Sequence, residues 1–160
     1  MNVFVFDIET IPDIEGGRRV FELGDLPDKD VVTAMENLRR QESGNKFLRL
    51  PLHRIVAISA VLRTGNTFRV WSLGEPDSSE KELIERFFAG IEKYTPTLVS
   101  WNGGGFDLPV LHYRAMLHGV TAARYWDQGE QDRDFKWNNY LSRYHARHTD
   151  LMDVLALYQG

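Results

Sequence analysis

The sequence has no cysteine, which excludes disulfide bonds and thiolate metal sites, so any metal ion must be bound by carboxylates or histidines. It also lacks a long apolar run. The hydrophobic stretch at the N-terminus meets Asp7 after only a few residues, and no basic segment precedes it. We therefore expect neither a signal peptide nor contact with a membrane, and the simplest expected location is the cytoplasm.

The chain has no excess of basic residues, since its formal net charge is −4. This balance argues mildly against a protein that binds nucleic acid through bulk positive charge, although an enzyme can reach a phosphate through bound cations. The 160 residues, of which 42% are hydrophobic, suffice for one sizeable core. We expect a single domain that spans residues 1–160.

Hydrophobic periodicity predicts a mixed α/β fold. Runs rich in Val, Ile and Phe indicate strands, and apolar residues at helical spacing indicate amphipathic helices. The predicted order is a strand at 2–9, an insertion at 12–50 with a helix near 28–40, a hairpin at 54–62 and 67–73, a helix at 79–94, a strand at 97–101, a helix at 108–117, and a strand leading into a helix at 148–154. This order indicates a mixed sheet with helices on its faces. Residues 120–147 show only weak periodicity.

Basic residues are concentrated near the end of the insertion, where one acid, Glu42, stands among them. We call this set the basic strip, and it consists of Arg39, Arg40, Lys46, Arg49 and Arg54. It either contacts phosphates or forms an ordinary solvated helix end and loop. The sequence leaves both interpretations open.

Two acids, Asp7 and Glu9, stand at the end of the first predicted strand. Residues two apart on a strand point to the same face, so both carboxylates emerge together. Two like charges at the end of an apolar strand are unfavourable unless a cation or hydrogen bonds compensate them. Oxygen-only ligation of this kind suits Mg²⁺. The alternative is a strand that ends in ordinary surface acids.

A third acid, Asp107, follows a strand and a run of three glycines and stands at the beginning of a predicted helix. By itself it is compatible with an acid that stabilises a helix N-terminus through the helix dipole. The glycines also suggest a phosphate-binding loop, but no Lys-Ser or Lys-Thr follows them, which argues against a P-loop.

Together the two acidic segments resemble motifs of the DEDD superfamily of 3′–5′ exonucleases, which have the ribonuclease H-like fold. The similarity is closest to the proofreading domain of family-B DNA polymerases and its stand-alone bacterial relatives. The first motif corresponds to Phe6-Asp7-Ile8-Glu9-Thr10, and the second to Trp101, Asn102, Phe106, Asp107, Pro109 and Leu111. The resemblance covers most of the chain apart from the 12–50 insertion.

The resemblance implies a role for each matched residue. Asp7 would bridge two divalent ions, Mg²⁺ or Mn²⁺, Glu9 would bind the ion that carries the attacking water, and Asp107 would support the second ion. The reaction would be in-line hydrolysis of the last phosphodiester at the 3′ end of single-stranded DNA or RNA, in repair or turnover. The residues implied to contact the terminal nucleotide are Thr10, Asn102 and Phe106.

The family's fourth carboxylate, an Asp preceded by Tyr or His in a third motif, has no clear counterpart. The pairs His145–Asp150 and His148–Asp153 have the right spacing, but the segment from His148 resembles the strand that precedes the third motif. We therefore expect a C-terminally truncated fragment with little or no activity. The alternatives are an unusual use of Asp150 or Asp153, and a non-catalytic module that binds nucleic acid or a partner.

The remaining histidines and tryptophans of the helical and irregular segments are expected to be structural. We predict that His112 and His118 lie on a helix surface and bind no metal. The sequence further predicts that three large aromatic side chains serve packing and do not act as stacking platforms. These side chains are Trp71, Trp126 and Trp137.

Overall fold

The computed structural model describes residues 1–159 and contains a five-stranded mixed sheet with strand order β3-β2-β1-β4-β5. The central strand β1 pairs antiparallel with β2 and parallel with β4, and the edge strands continue these two directions. This confirms the predicted mixed α/β sheet and is consistent with the ribonuclease H-like fold. The strands are β1 (Asn2–Pro12), β2 (His53–Thr64), β3 (Thr67–Ser72), β4 (Thr97–Ser100) and β5 (His148–Asp150).

Within residues 1–159, five α-helices and two short 3₁₀ turns, Leu50–Leu52 and Arg133–Lys136, lie between the strands, and a sixth helix follows the last strand. None of the helices within residues 1–159 has the length and apolar character needed to cross a membrane. The predicted helix after Ser79 is confirmed, and the Ser79 side chain caps it by accepting the Glu82 backbone N–H. The helices are α1 (Ile14–Phe21), α2 (Asp28–Ser43), α3 (Glu80–Tyr94), α4 (Asp107–His118), α5 (Ala123–Trp126) and α6 (Leu151–Leu155).

The main core lies between one face of the sheet and helices α3 and α4. It is built from alternate residues of the strands and from the apolar stripe of each helix. The other face of β1 carries Val5, Asp7 and Glu9, which are exposed. The principal side chains of this core are Phe4, Phe6, Ile8, Ile58, Leu62, Phe87, Ile91, Leu98 and Leu111.

The 12–50 insertion contains two helices and has a small core of its own, formed by Val31, Met35, Leu48 and Leu52. The predicted helix is α2, whereas α1 was not predicted, because the glycine pair at its centre indicates a turn in sequence. Gly17 instead allows α1 to pack tightly, since a Cβ there would overlap the side chain of Met35.

The weakly periodic stretch 120–147 packs through aromatic stacking. Tyr125 and Tyr140 lie nearly parallel with ring centroids 5.4 Å apart, and both are buried. The guanidinium of Arg147 lies 4.1 Å from the ring centroid of Phe135, which is also fully buried. Such contacts join residues far apart in sequence and leave no short-range period.

Two of the structural expectations for this region were wrong. Trp137, predicted to serve packing, is 77% exposed, because Phe135 and Tyr140 already fill the space beneath this segment. His112, predicted to lie on the helix surface, packs against Tyr125 and Trp126 and hydrogen-bonds to the Tyr125 hydroxyl at 2.9 Å. Burial lowers the pKa of His112 to about 4, so its imidazole is neutral at physiological pH.

Candidate active site

The first pair of predicted site residues, Asp7 and Glu9, lies on the exposed face of β1. Across the antiparallel pairing with β2 they face small side chains, Ser59 and Ala57 respectively. These neighbours leave open space in front of the two carboxylates. The pairing register shifts directly after Glu9, between Glu9 and Thr10. The strand therefore presents both acids together, as the sequence predicts.

The second motif joins the first through a hydrogen bond from the Ile8 backbone N–H to Asp107 Oδ1, at 3.2 Å. Strand β4 pairs with β1 only at Val3–Val5, so β1 extends beyond its parallel neighbour. At Ile8 the carboxylate of Asp107, the first residue of α4, takes the place of a strand partner. The structure thus brings together two motifs that are separated by 99 residues.

Asp107 is buried, with 4% of its surface exposed, and the carboxylates of Asp7 and Asp150 are near enough for their charges to act on it. Burial, followed by the negative charges of Asp7 and Asp150, raises the pKa of Asp107 to about 6, against the lowering effect of the Ile8 N–H. A cation at this position would relieve both the desolvation and the repulsion. The charges of Asp7, Asp107 and Asp150 are therefore electrostatically coupled.

The donor chemistry of the site fits a hydrated divalent cation. Within residues 1–159 no three His, Asp or Glu side chains are grouped closely enough to hold a metal ion. Mg²⁺ retains several of its waters and is usually held by only one or two carboxylates, so a smaller protein ligand set is sufficient. Asp7 and Asp107 are the coupled carboxylates that suit such an ion, and Glu9 lies on the same strand face as Asp7.

The glycine turn, defined as Trp101–Gly105, connects β4 to α4 and delivers Asp107 to the site. A Cβ on residue 103 would overlap the side chain of Ser100, so position 103 requires glycine. The Ser100 hydroxyl hydrogen-bonds to His148 Nε2 on β5 at 2.7 Å. The neighbouring strand thus fixes the side chain on which the turn rests.

Asp150, at the end of β5, holds the glycine turn from the other side. Its Oδ1 accepts the backbone N–H of Asn102 at 2.8 Å, and its Oδ2 accepts that of Gly104 at 3.0 Å. It also caps α6 by accepting the N–H of Met152. Asp150 therefore serves as a hydrogen-bond acceptor for backbone N–H groups of the glycine turn and of α6. The sequence did not predict this role. The adjacent candidate, Asp153, forms an ion pair with Arg143 at 3.3 Å.

Two of the three predicted nucleotide-binding residues, Thr10 and Phe106, both contact His53, which was not predicted to belong to the site. The Thr10 hydroxyl hydrogen-bonds to His53 Nδ1 at 3.1 Å, and the ring of Phe106 lies edge-on to the His53 ring with centroids 5.1 Å apart. Phe47 completes this cluster. Asn102 lies apart from it on the glycine turn, where its carbonyl accepts the N–H groups of Gly105 and Phe106.

The basic strip is largely paired with acids. Arg39 and Arg49 both form ion pairs with Glu42, and Lys46 pairs with Glu36. Side chains engaged in this way are less available to phosphates, which favours the solvated-surface interpretation for these residues. Contact between the strip and a nucleic acid remains a prediction.

A buried ion network lies behind the site and joins the insertion to α3 and α4. Arg114 donates to Asp13 at 2.6 Å and to Glu80 at 2.7 Å, and Glu80 also accepts from the Ile55 N–H. His118, predicted to be a surface residue, is partly exposed and contacts Glu80 at 2.7 Å. Burial alone would raise the pKa of Glu80, but its hydrogen bonds, first that of Arg114, lower it below the ordinary value.

A groove of about 1050 Å³ begins at the glycine turn and runs between α4 and the C-terminal segment. Its lining includes Asn102 and Asp150, which belong to the glycine turn and its support, and also Arg143 and Tyr144. Its lining contains none of the three acids predicted to bind metal. The groove is therefore adjacent to the carboxylate site and distinct from it.

The fold and these motifs define an α/β domain of the exonuclease class. Residues 45–160 match a family described as a predicted 3′–5′ exonuclease related to the exonuclease domain of PolB, and the chain belongs to this family. The matched range includes the second motif with Asp107. The first motif, with Asp7 and Glu9, lies before it.

Two DNA polymerases show similarity over a short stretch. The chain is 45% identical over 47 residues to DNA polymerase 1 of Sulfurisphaera ohwakuensis, which is 29% of this chain and 5% of the polymerase. It is 46% identical over 48 residues to the catalytic subunit of DNA polymerase epsilon from Dictyostelium discoideum, which is 29% of this chain and 2% of that protein. The chain thus matches only a small part of either polymerase.

Proposed function

We propose that this domain acts on the 3′ ends of single-stranded nucleic acid as a metal-dependent exonuclease, with Asp7, Glu9 and Asp107 as the acidic ligands. The observation that carries this proposal is the hydrogen bond from the Ile8 N–H to the Asp107 carboxylate, at 3.2 Å. It joins the two motifs at one place, where the pKa of the buried carboxylate is raised. The family supports hydrolysis of terminal phosphodiesters as the reaction.

In this proposal Asp7, Glu9 and Asp107 hold Mg²⁺ or Mn²⁺, with two ions expected during catalysis, which would supply charge stabilisation to the phosphoryl group when bound. The burial of Asp107 keeps the local dielectric low, which strengthens the interaction of its carboxylate with any cation. Thr10 and Asn102 position the terminal nucleotide through hydrogen bonds. Phe106 forms part of the aromatic surface beside them.

The three proposed ligands lack the fourth carboxylate of the DEDD pattern, and we expect the rate of cleavage to depend on it. Asp150 is engaged with the glycine turn and Asp153 with Arg143, so neither is a ready substitute. We expect binding of metal and of a 3′ end from the three carboxylates alone, with slow hydrolysis. Cleavage by the isolated chain at rates typical of enzymes would assign the fourth ligand to one of these acids or to a second chain.

The test compares Asp7→Ala with Asp77→Ala, a control at an exposed acid in the loop before α3. Calorimetric titration with Mn²⁺ should show at least a tenfold loss of affinity for Asp7→Ala and no change for Asp77→Ala. Any shortening of a 5′-labelled single strand from its 3′ end, slow in the wild type, should fall below detection in Asp7→Ala. Unchanged Mn²⁺ affinity and unchanged cleavage in that variant would refute the assignment. Binding of the strand without cleavage, independent of Asp7, would favour a non-catalytic module.

A further inference from the structure

Three aromatic rings form a cluster at the edge of the carboxylate site. The ring centroids of Phe47 and His53 are 4.9 Å apart, and that of Phe106 lies 5.8 Å from Phe47. Thr10 connects the cluster to the end of β1, directly after Glu9, and Phe106 directly precedes Asp107. The cluster therefore borders both acidic motifs.

The central ring of the cluster is held by two hydrogen bonds. His53 Nε2 lies 3.2 Å from the carbonyl of Leu48, and Nδ1 lies 3.1 Å from the Thr10 hydroxyl. A neutral ring with its proton on Nε2 donates to the carbonyl and accepts from the hydroxyl, which satisfies both nitrogens. His53 is thus a fixed support for the two phenylalanines.

Phe47 combines a fixed backbone with an open ring. Its N–H donates to Asn45 Oδ1 at 2.9 Å, and its carbonyl accepts from Arg39 Nε at 2.8 Å. The next residue, Leu48, is buried in the core of the insertion. Nevertheless 55% of Phe47 is exposed. The ring packs against His53 and Phe106 beside the two acidic motifs and is half in solvent, so it offers a face that a ligand can cover.

We propose that Phe47 is a stacking platform for the base of the 3′-terminal nucleotide, an inference that rests on the proposed function. Every base has a π-face, so such a platform recognises a terminal base without selecting its identity. The Thr10 hydroxyl, which is joined to the cluster through His53, can accept a hydrogen bond from the sugar, and a cation held by the carboxylates would meet the phosphate. The insertion then contributes to substrate binding through this ring, and less through the basic strip, whose Arg39 is occupied in holding Phe47.

The test uses a single-stranded oligonucleotide with 2-aminopurine at its 3′ end and a matched strand whose 3′ terminus is abasic, both in Ca²⁺ buffer to prevent hydrolysis. Phe47→Ala should raise the Kd for the first strand about tenfold, as expected when one base–aromatic stack is lost. It should leave the Kd for the abasic strand unchanged. Phe47→Trp should retain wild-type affinity. The control variant is Phe68→Ala, which changes an exposed Phe on β3 that pairs with Arg63 of β2. It should bind both strands like wild type.

Each other outcome separates this inference from the proposed function. An equal loss of affinity for both strands would show that Phe47 supports the structure only, and would overturn the inference. Wild-type affinity in Phe47→Ala, with cleavage or Mn²⁺ binding still dependent on Asp7, would overturn the inference and leave the proposed function standing. Failure of the wild-type protein to bind either strand would overturn both.

Discussion

Asp107→Asn is predicted to stabilise the metal-free protein at neutral pH. The Asp107 carboxylate is buried, and its pKa is raised from 3.8 to about 6. The folded state therefore opposes ionisation of this group more than the unfolded state does. A difference of about 2 pKa units corresponds to about 3 kcal/mol in the free energy of unfolding at neutral pH. Asparagine retains an oxygen that can accept the Ile8 N–H and removes the charge.

The sign of the pH dependence follows from the raised pKa. Below about pH 4 the carboxyl is protonated in both states, so ionisation imposes no penalty on the folded state. The penalty grows as the pH rises from about 4 to about 6 and is complete above that range. The wild-type protein should therefore match Asp107→Asn in stability near pH 3.5. At pH 7.5 in EDTA it should be less stable by about 2 kcal/mol, within the limit set by the pKa shift.

Urea denaturation followed by tryptophan fluorescence measures this difference at each pH. Asp77→Asn, at an exposed acid, should match the wild type throughout. Added Mn²⁺ should narrow the gap at pH 7.5, because an ion that binds the folded carboxylates stabilises the wild-type protein preferentially. A variant that is less stable than wild type at pH 7.5, or a gap independent of pH, would refute the idea that Asp107 is held at an energetic cost.

Two further predictions concern the residues that support the site. Arg114→Met should lower the free energy of unfolding at pH 7.5 by about 3–5 kcal/mol, because it leaves the Asp13 and Glu80 carboxylates buried without their partner. Urea denaturation measures this loss, and a loss below about 1 kcal/mol would contradict the prediction. Asp150→Asn should cost about 1–3 kcal/mol, since one amide nitrogen cannot accept a backbone N–H of the glycine turn. It should also weaken Mn²⁺ binding in calorimetry, and unchanged affinity would show that the turn does not position Asp107.

The regular elements beside the site were predictable because their signals are local. The apolar run of β1 and the helical spacing of α3 and α4 are set by neighbours a few residues away. Gly119 ends α4 in a left-handed conformation with φ 64°, where glycine is favoured over other residues. The predicted hairpin is confirmed by the antiparallel pairing of β2 with β3. The predicted and observed ends differ by up to three residues, because terminal hydrogen bonds are free to vary.

The supporting residues were not predictable in the same way, because their roles depend on distant partners. Asp150 holds backbone atoms that lie 46 and 48 residues earlier, and in sequence it matched the spacing of a metal ligand. His53 and Phe47 show no motif, and their significance appears only when Thr10 and Phe106 arrive beside them. A polar residue at the end of one parallel strand, next to a glycine turn that follows another, is the signal that could have identified Asp150.

The position of Asp107 shows why the acidic site depends on the whole edge of the sheet. Strand β1 extends beyond β4 and leaves the Ile8 N–H available, the glycine turn brings α4 to that gap, and Asp150 fixes the turn from β5. Together these features bury Asp107 and bring the charges of Asp7 and Asp150 near it, which raises its pKa although the Ile8 N–H lowers it. Keeping the Asp107 carboxylate ionised in the folded protein is unfavourable at neutral pH. The apolar core and the network around Arg114 stabilise the fold and so offset this unfavourable free energy. In the proposed function, the same geometry that destabilises the metal-free carboxylate would also favour the binding of a divalent cation, and loosening the turn should weaken both effects together.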